Sequence, residues 1–233
     1  MINLTAGTSA KTHAMNKMLM LILCCIAFSA TAQVRVGVSY GPGISTQPEK
    51  NDTAFFGQNY SNAQLRLGWH KGRIGLVVNG GIMNQQPGDV NPRESLPGLP
   101  AGVVLSFSGG NVRNTFFTVG PEICFPLGPV KFFVQAATGI GWLQATEAAV
   151  KINTVQEAFY KSTLNKKTTG VHKTGAGLHF YFTKKLAITA QTEYTSFKLN
   201  YTASDKRNQQ NPVQTFTQQK RLVHFSGGLT YKF

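Results

Sequence analysis

Cysteine is almost absent from this chain, and its scarcity excludes a disulfide framework. Of three cysteines in 233 residues, Cys24 and Cys25 fall in an apolar N-terminal segment, which leaves Cys124 alone in the remainder. A single cysteine forms no intramolecular disulfide, so stability must come from strand pairing and packing. The segment around Cys124 holds no histidine or asparagine partner, which argues against a catalytic thiol.

Long hydrophobic runs are also missing. The longest, Met18–Phe28, is shorter than the roughly 20 residues that a membrane-spanning helix needs. A lysine precedes this run and the small residues Ser29–Ala32 follow it, a pattern typical of a secretory signal peptide. We therefore predict a signal peptide over residues 1–32, in which 1–14 resemble an upstream extension, and one domain over 33–233.

Acidic residues are scarce, with nine against 23 lysines and arginines. Lys11 and Lys17 belong to the signal region, so the mature chain carries a net charge of +12 (21 − 9). A basic surface of this kind attracts polyanions. Because export removes nucleic acid as a partner, we expect anionic lipid and the phosphate groups of lipopolysaccharide instead.

What the sequence does contain is strict alternation of apolar and polar residues. The terminal segment Arg221–Phe233 puts Val223, Phe225 and Leu229 on one side and His224 on the other. A period of two predicts a strand with unlike faces. A chain that stops on an aromatic residue at the end of such a strand resembles the last strand of a bacterial outer-membrane β-barrel. The alternative is the last strand of a soluble sandwich.

Eight segments alternate in this way. They cover residues 34–42, 61–70, 73–83, 115–125, 130–142, 171–182, 186–197 and 221–233. Each has one face without a charged residue, whereas the other face is polar and rich in glycine. Lipid enforces an uncharged face, because Lys or Arg at the bilayer midplane costs roughly 2–4 kcal/mol. The polar faces would make a poor core for a soluble sandwich.

Short and long connections alternate between these segments. Tight turns join three pairs of segments at Lys71–Gly72, Pro126–Pro129 and Thr183–Lys185. The long connections cover residues 43–60, 84–114, 143–170 and 198–220. The sequence therefore predicts an all-β fold, an eight-stranded antiparallel up-and-down transmembrane β-barrel in the cell outer membrane, with short periplasmic turns and long extracellular loops.

Aromatic residues cluster at the ends of the predicted strands, as expected of belts at the two bilayer interfaces. The predicted belt at the short-turn end consists of Trp69, Phe125, Phe132, Phe182, Tyr231 and Phe233. The belt at the long-loop end consists of Tyr40, Phe117, Trp142 and Tyr194. His70, at a short-turn strand end, is interpreted as an interfacial polar cap.

Residues 33–233 resemble the outer-membrane β-barrel domain of the PorT-like family. The stretches that carry the resemblance are Val119–Leu127, Phe132–Gly139 and the closing Gly228–Phe233. It covers essentially the whole mature chain, but its motifs are architectural and name no chemistry. The resemblance implies a small eight-stranded barrel, and some members of such a family assist a secretion apparatus.

An eight-stranded barrel is only just wide enough for its interior side chains, so inward charges must pair or stay hydrated. We predict that two carboxylates each accept a salt bridge inside the lumen. The cations expected near Glu122 are Lys131 and, across the lumen, Arg35 or Arg66. Those expected near Glu193 are Lys173 and His224. The network is expected to act as a stabilising plug, with a gate as the alternative.

The long connections are basic and are expected to bind lipopolysaccharide or a protein partner, with ordinary solvated lysines as the alternative. The third carries Lys151, Lys161, Lys166 and Lys167, and the fourth carries Lys198, Lys206, Arg207 and Lys220. Residues 147–164 lack Pro and Gly and predict a short helix or a strand extension. Gly98–Gly110, which includes the apolar stretch Val103–Phe107, predicts an extra hairpin above the membrane.

The sequence predicts no catalytic, metal or cofactor site. Only His172 and His224 lie near the outer rim, and Ser204 and Asp205 are predicted loop residues without a fixed relation to them. His179 and His224 lie at different heights without a third ligand. Two functions remain, a structural or interaction barrel with a plugged lumen and a transport element, which is either a narrow channel or a secretion accessory. A lipid-modifying enzyme is a third, weaker reading.

Overall fold

Strands make up nearly all of the structure. The computed structural model describes residues 33–46, 59–85, 105–152, 158–205 and 213–233, so the predicted signal peptide lies outside the described residues. The strands are β1 (Gln33–Ser45), β2 (Asn59–Lys71), β3 (Ile74–Gln85), β4 (Leu105–Ser108), β5 (Val112–Leu127), β6 (Val130–Ala145), β7 (Ala148–Ile152), β8 (Ala158–Leu164), β9 (Thr168–Tyr181), β10 (Leu186–Asp205) and β11 (Val213–Lys232). Across these residues, no helix has the length and hydropathy of a membrane span.

Eight of the strands form a closed antiparallel wall in the order β1-β2-β3-β5-β6-β9-β10-β11. The wall closes where β11 pairs with β1, and both chain ends of the barrel lie there, since the Phe233 N–H donates to the Val34 carbonyl at 3.0 Å. The predicted eight-stranded up-and-down barrel is confirmed.

The pairing register sets the tilt of the strands. A path that starts at Gly43 on β1 and steps from each residue to its cross-strand partner goes once around the wall and returns to β1 at Gln33. The path thus ends ten residues from its start (43 − 33). We call this path the pairing row; it consists of Gly43, His224, Glu193, Gly175, Gln135, Glu122, Gly75, His70 and Gln33. With about 3.3 Å per residue and about 4.8 Å between strands, a stagger of ten over eight strands tilts them by roughly 40°. Such a lumen is narrow enough to be filled by side chains.

The short strands β4, β7 and β8 continue the wall at the long-loop end. β4 pairs with β7 in the same register in which β5 pairs with β6, so that β4 and β5 form one interrupted strand. Gly109 and Gly110 make the interruption with φ of +85° and +83°, and a Cβ on Gly109 would meet the Glu147 carbonyl. Of the segment 98–110, in which an extra hairpin was expected, the structure describes Leu105–Ser108 as one strand paired with β7. Residues 98–104 lie outside the described residues, so the hairpin stays a prediction.

Where the structure describes residues 147–164, it shows strand and not helix, in β7 (Ala148–Ile152) and β8 (Ala158–Leu164). β7 and β8 pair with each other in the same register in which β6 pairs with β9. β8 then pairs with the far end of β10, where β9 has ended. The predicted long loop is thus largely a hairpin that extends the barrel wall.

Positive-φ glycines build two of the tight turns at the opposite end. Gly72 has φ of +65° between β2 and β3, and Gly128 has φ of +62° between β5 and β6. L side chains rarely adopt this conformation, whereas glycine does so freely. These turns coincide with the short connections predicted from the sequence.

All eight predicted uncharged faces point outward. Most of their large apolar side chains are exposed, from 37 % for Ile82 to 68 % for Phe233. Such exposure would be unusual in a soluble monomer, where large apolar patches are rare. The wall is therefore covered by lipid, with its backbone groups satisfied within the closed sheet.

The strands run beyond their predicted bounds at the long-loop end because the polarity of the two faces reverses there. Arg113 and Gln144 point outward and are exposed, whereas their neighbours Val112 and Leu143 point inward and are buried. The apolar outward face, which defined the predicted strands, ends where the apolar residues change sides. This reversal marks the level at which hydrocarbon gives way to water.

The lipid-covered face generates a stability prediction on β11. Phe225→Arg puts a charge into the apolar stretch, so we expect the free energy of unfolding to fall by about 2 kcal/mol or more. Thr215→Arg, on the outward face of the same strand but beyond the polarity reversal, is the matched control and should change it by less than about 1 kcal/mol. Urea unfolding in lipid vesicles measures the free energy of unfolding of both variants, with gel migration without boiling as the readout of the folded fraction. Equal losses would contradict a lipid-covered face.

Candidate functional site

The lower half of the lumen is organised around Glu122 on β5. Its cross-strand neighbour on β3 is Gly75, and the next residue across, on β2, is His70. Because Gly75 has no side chain, the imidazole of His70 lies over it; a Cβ there would collide with the ring. The His70 Nε2 atom is 2.8 Å from the Glu122 Oε1 atom, and both residues are buried.

Two guanidinium groups complete this lower cluster. Arg66 forms an ion pair with the Glu122 Oε2 atom, and the Arg35 Nη1 atom lies 3.9 Å from Oε1. Arg35 also donates to the Cys124 Sγ atom at 3.3 Å. The Arg66 guanidinium lies 4.1 Å from the ring centroid of Phe133, a cation–π contact. One buried carboxylate thus lies close to two buried cations, which come from β1 and β2.

Glu193 on β10 centres a second cluster higher in the lumen. It accepts hydrogen bonds from Gln135 Nε2 at 2.6 Å, Gln64 Nε2 at 2.8 Å and Lys173 Nζ at 3.2 Å. Lys173 also donates to Gln64 Oε1 at 2.6 Å and lies 4.6 Å from the ring centroid of Phe116. These bonds join strands on opposite sides of the barrel, so they cross the lumen.

An apolar cluster fills the lumen above Glu193. We call it the apolar cap; its buried members are Tyr60, Met83, Val112, Phe116, Leu143, Val171, Phe197, Leu199 and Leu222. The Tyr60 hydroxyl donates to the carbonyls of Ile44 and Val223 at 3.1 and 3.0 Å. Its ring occupies the space that a Cβ on Gly43 would need. The plugged polar lumen predicted from the inward faces does not extend to this level, where the inward side chains are apolar.

Five of the seven predicted lumen residues come together and two do not. Arg35 and Arg66 meet Glu122, and Lys173 meets Glu193. Lys131 lies instead opposite Pro126, with its Nζ atom 5.0 Å from the ring centroid of Tyr181. His224 is the cross-strand neighbour of Glu193, but its Nε2 atom lies 3.0 Å from Thr195 Oγ1.

Sequence reasoning missed three members of the clusters, His70, Gln64 and Gln135. His70, interpreted as an interfacial cap, is only 2 % exposed, so that interpretation is wrong. It lies next to Trp69 on β2, and the outward position of Trp69 already implies that His70 points inward. Gln64 and Gln135 were recognisable as inward and polar, but their partners depend on the register between strands.

The ten predicted belt residues all point outward. Nine are exposed, from 37 % for Tyr194 to 68 % for Phe233, and Trp69 is half-buried. Their sorting into two levels stays a prediction.

Three buried residues in the lower cluster offer atoms of the types that ligate metals. The His70, Glu122 and Cys124 donor atoms lie within 4.8 Å of one another. However, Arg66 already occupies one oxygen of Glu122, and Arg35 lies 3.3 Å from the sulfur. Two fixed positive charges oppose a divalent cation at this position. The donor set is better suited to holding the guanidinium groups than to holding a metal.

The histidines considered for catalysis lie on opposite faces of the wall. His172 points outward, with its Nδ1 atom 3.1 Å from Thr138 Oγ1. His224 points inward and is fully buried. Ser204 and Asp205 are the last residues of β10 rather than loop residues.

The fold is similar to that of solved outer-membrane proteins. The chain is similar in fold to the outer membrane protein OprG from Pseudomonas aeruginosa, with a TM-score of 0.55 and 8 % identity over 87 % of this chain and 96 % of that one. A major outer membrane protein from Thermus thermophilus gives 0.47 and 11 %, over 87 % and 99 %. The outer membrane protease OmpT from Escherichia coli gives 0.47 and 8 %, over 86 % and 97 %. No protein-family model matches the chain, and neither does any curated protein.

The shared fold and the apolar exterior both indicate a membrane β-barrel. At 8 % identity the similarity to OprG establishes the fold alone. The lipid-covered wall is a property of this chain itself, since its exposed apolar side chains surround the barrel. The protein is therefore an integral β-barrel of the cell outer membrane.

The lower cluster predicts an asymmetric cost of charge removal. Glu122→Gln leaves Arg66 and Arg35 buried without a counter-charge, so we expect the free energy of unfolding to fall by about 3–5 kcal/mol. Glu147→Gln is the matched control, because Glu147 pairs with Lys161 at 3.2 Å where both side chains are about half exposed. That change should cost less than about 1 kcal/mol. Urea unfolding in vesicles compares the two variants, and equal costs would show that the buried position of Glu122 adds nothing to its contribution.

Proposed function

We propose that this protein is a non-catalytic structural or interaction barrel, with a sealed lumen and with long loops that bind lipopolysaccharide or a protein partner outside the cell. The observation that carries the proposal is the filling of the lumen at two levels. Charged and amide side chains cross it at Glu122 and Glu193, and the apolar cap lies above them. A continuous water path would have to break both.

The energetic cost of opening supports a plug rather than a gate. Lys173, Glu193 and Glu122 are each at most 1 % exposed. Separating such pairs leaves charges unpaired in a narrow space, which costs several kcal/mol. Opening the apolar cap would also bring Phe116 and Leu143 into contact with water. A channel or transport role would require both costs to be met in each opening.

The positions of the histidines support the non-catalytic part of the proposal. His172 and His224 are separated by the barrel wall, so they do not share a site. Acyl transfer or hydrolysis would need a base within hydrogen-bond reach of its nucleophile or water. His224 bonds Thr195 inside the barrel, beneath the apolar cap to which its neighbour Tyr60 belongs.

Exposed lysines at the long-loop end support an anionic partner. Lys151, Lys166, Lys167 and Lys198 are exposed there, and Lys161 pairs with Glu147. Lys206 and Arg207 lie outside the described residues. Lys220, expected among the exposed loop cations, is buried on β11, so that expectation is wrong. The remaining lysines form a basic fringe of the kind that attracts anionic membrane surfaces.

Membership of the PorT-like family is part of this proposal. Its support is the set of stretches Val119–Leu127, Phe132–Gly139 and Gly228–Phe233, which fall in β5, β6 and β11. All three belong to the lipid-covered part of the wall. The likeness therefore bears on architecture, and a role beside a secretion apparatus stays the alternative function.

A sealed lumen predicts that the protein does not conduct ions. The refolded protein in a planar bilayer should show no defined conductance steps, because side chains and not water occupy the lumen. Gel migration with and without boiling, on the same vesicles used for fusion, verifies that folded barrel is present. Reproducible unit steps from verified barrel would contradict the plug and favour the transport function.

A further inference from the structure

Three polar side chains stand side by side on the outward face of the barrel. Asn84 on β3 is paired with Arg113 on β5, and Arg113 is paired with Gln144 on β6. All three are exposed. We call this group the rim row.

The rim row is the first polar layer above the lipid-covered wall. One step lower on the same face lie Ile82, Thr115 and Trp142, and the step below that contains Phe117 and Ile140. Tryptophan side chains favour the level of lipid headgroups. Arg113 therefore lies at the headgroup level or just above it, within reach of the phosphates that lipids carry there.

The geometry of Arg113 suits an anion. Its Nε atom donates to Asn84 Oδ1 at 3.0 Å, which orients the guanidinium plane. Within the described part of the chain, this bond engages Nε alone and leaves the two terminal nitrogens available. Paired guanidinium nitrogens match two oxygens of a phosphate group. The amide groups of Asn84 and Gln144 add donors on either side.

A cleft adjoins the rim row. It has a volume of about 520 Å³ and is lined by the rim row together with Asn111, Thr146 and their neighbours. The described residues that line it include no carboxylate, so nothing charged in the lining repels an anion. Asn111 and Thr146 are tied to each other by two hydrogen bonds of 3.0 Å, which hold the rim of the cleft in place.

Two further cations lie in the segment that neighbours the β6 end of the rim row. The Leu143 N–H donates to the Lys167 carbonyl at 2.6 Å, which brings the exposed Lys166 and Lys167 beside the β6 end of the rim row. A phosphate at the row would therefore have the Arg113 charge in contact and two lysines nearby.

The geometry points to the rim row as a binding site for the phosphate of a phosphorylated glycolipid in the outer leaflet, with Arg113 as the principal ligand. The inference rests on the proposed function, which puts the long loops outside the cell. The outward apolar residues below the row, Ile82 and Trp142, are placed to contact the acyl chains of the same lipid. The sugar portion would lie against the cleft.

The test measures lipid A binding to the full chain in detergent micelles by native mass spectrometry. Arg113→Gln should weaken retention of lipid A by at least about tenfold, the effect of losing a charge-assisted hydrogen bond. Arg221→Gln is the matched control, because Arg221 is an exposed arginine on the outward face of β11, on the opposite side of the barrel. It should bind as the wild type does. Unchanged gel migration shows that both variants are folded.

Two further arms identify the chemistry and source of the ligand. Lipid A from which the phosphates have been removed should be retained as weakly by the wild type as intact lipid A is by Arg113→Gln. Inorganic phosphate at millimolar concentration should leave retention of lipid A unchanged, because it lacks the acyl chains. Complete displacement by inorganic phosphate would overturn the lipid assignment and indicate a free-phosphate site.

The remaining outcomes separate this site from the proposed function. Equal retention by the wild type and Arg113→Gln overturns the rim row as the site and leaves the interaction role intact. No retention by the wild type itself overturns the rim row as a lipid site and removes lipopolysaccharide as a partner, which leaves a protein partner as the proposed function. Equal loss in Arg221→Gln would show that overall charge, not the rim row, governs binding.

Discussion

A lumen no wider than its own side chains has no room for an unpaired charge, and the rest of the barrel follows from that constraint. The pairing row that closes the wall with a stagger of ten also carries Glu122, Glu193 and their neighbours His70 and Gln135. The hydrogen bonds that tilt the strands therefore also decide which polar side chains face one another. Closure of the wall and the pairing of polar groups inside it therefore depend on the same register.

Small residues make that solution possible. Gly75 and Gly175 lie on the pairing row beside the two carboxylates. A Cβ on Gly75 would meet the His70 ring, and one on Gly175 would meet the Glu193 side chain at 2.9 Å. The long side chains can cross the lumen because the glycines at these positions have no side chain. The glycine content of the inward faces thus reflects space needed by neighbours rather than flexibility of the strands.

The sequence predicts which face of each strand points outward better than it predicts which inward side chains contact one another. Lipid penalises an outward charge at every residue, so period-two alternation alone assigned all eight outward faces. Pairing depends on register between strands, which alternation does not determine. Lys131 was expected beside Glu122, but the register of β5 and β6 sets Gln135 there instead. The strand ends at the long-loop side were missed because the polarity of the two faces reverses there. The apolar Leu143 points inward and the polar Gln144 points outward, the opposite of the pattern in the lipid-covered wall.

The reversal of polarity divides the barrel into two parts with different surroundings. Below it, the wall is built for hydrocarbon and the interior is occupied by ion pairs and amides. Above it, the apolar cap gives the projecting wall a core of its own, like that of a soluble protein. Because side chains fill the lumen at both levels, the proposed interaction role falls to surfaces outside it. At the boundary itself, the exposed Arg113 guanidinium is oriented by its hydrogen bond to Asn84, which is why the proposed anion site lies there.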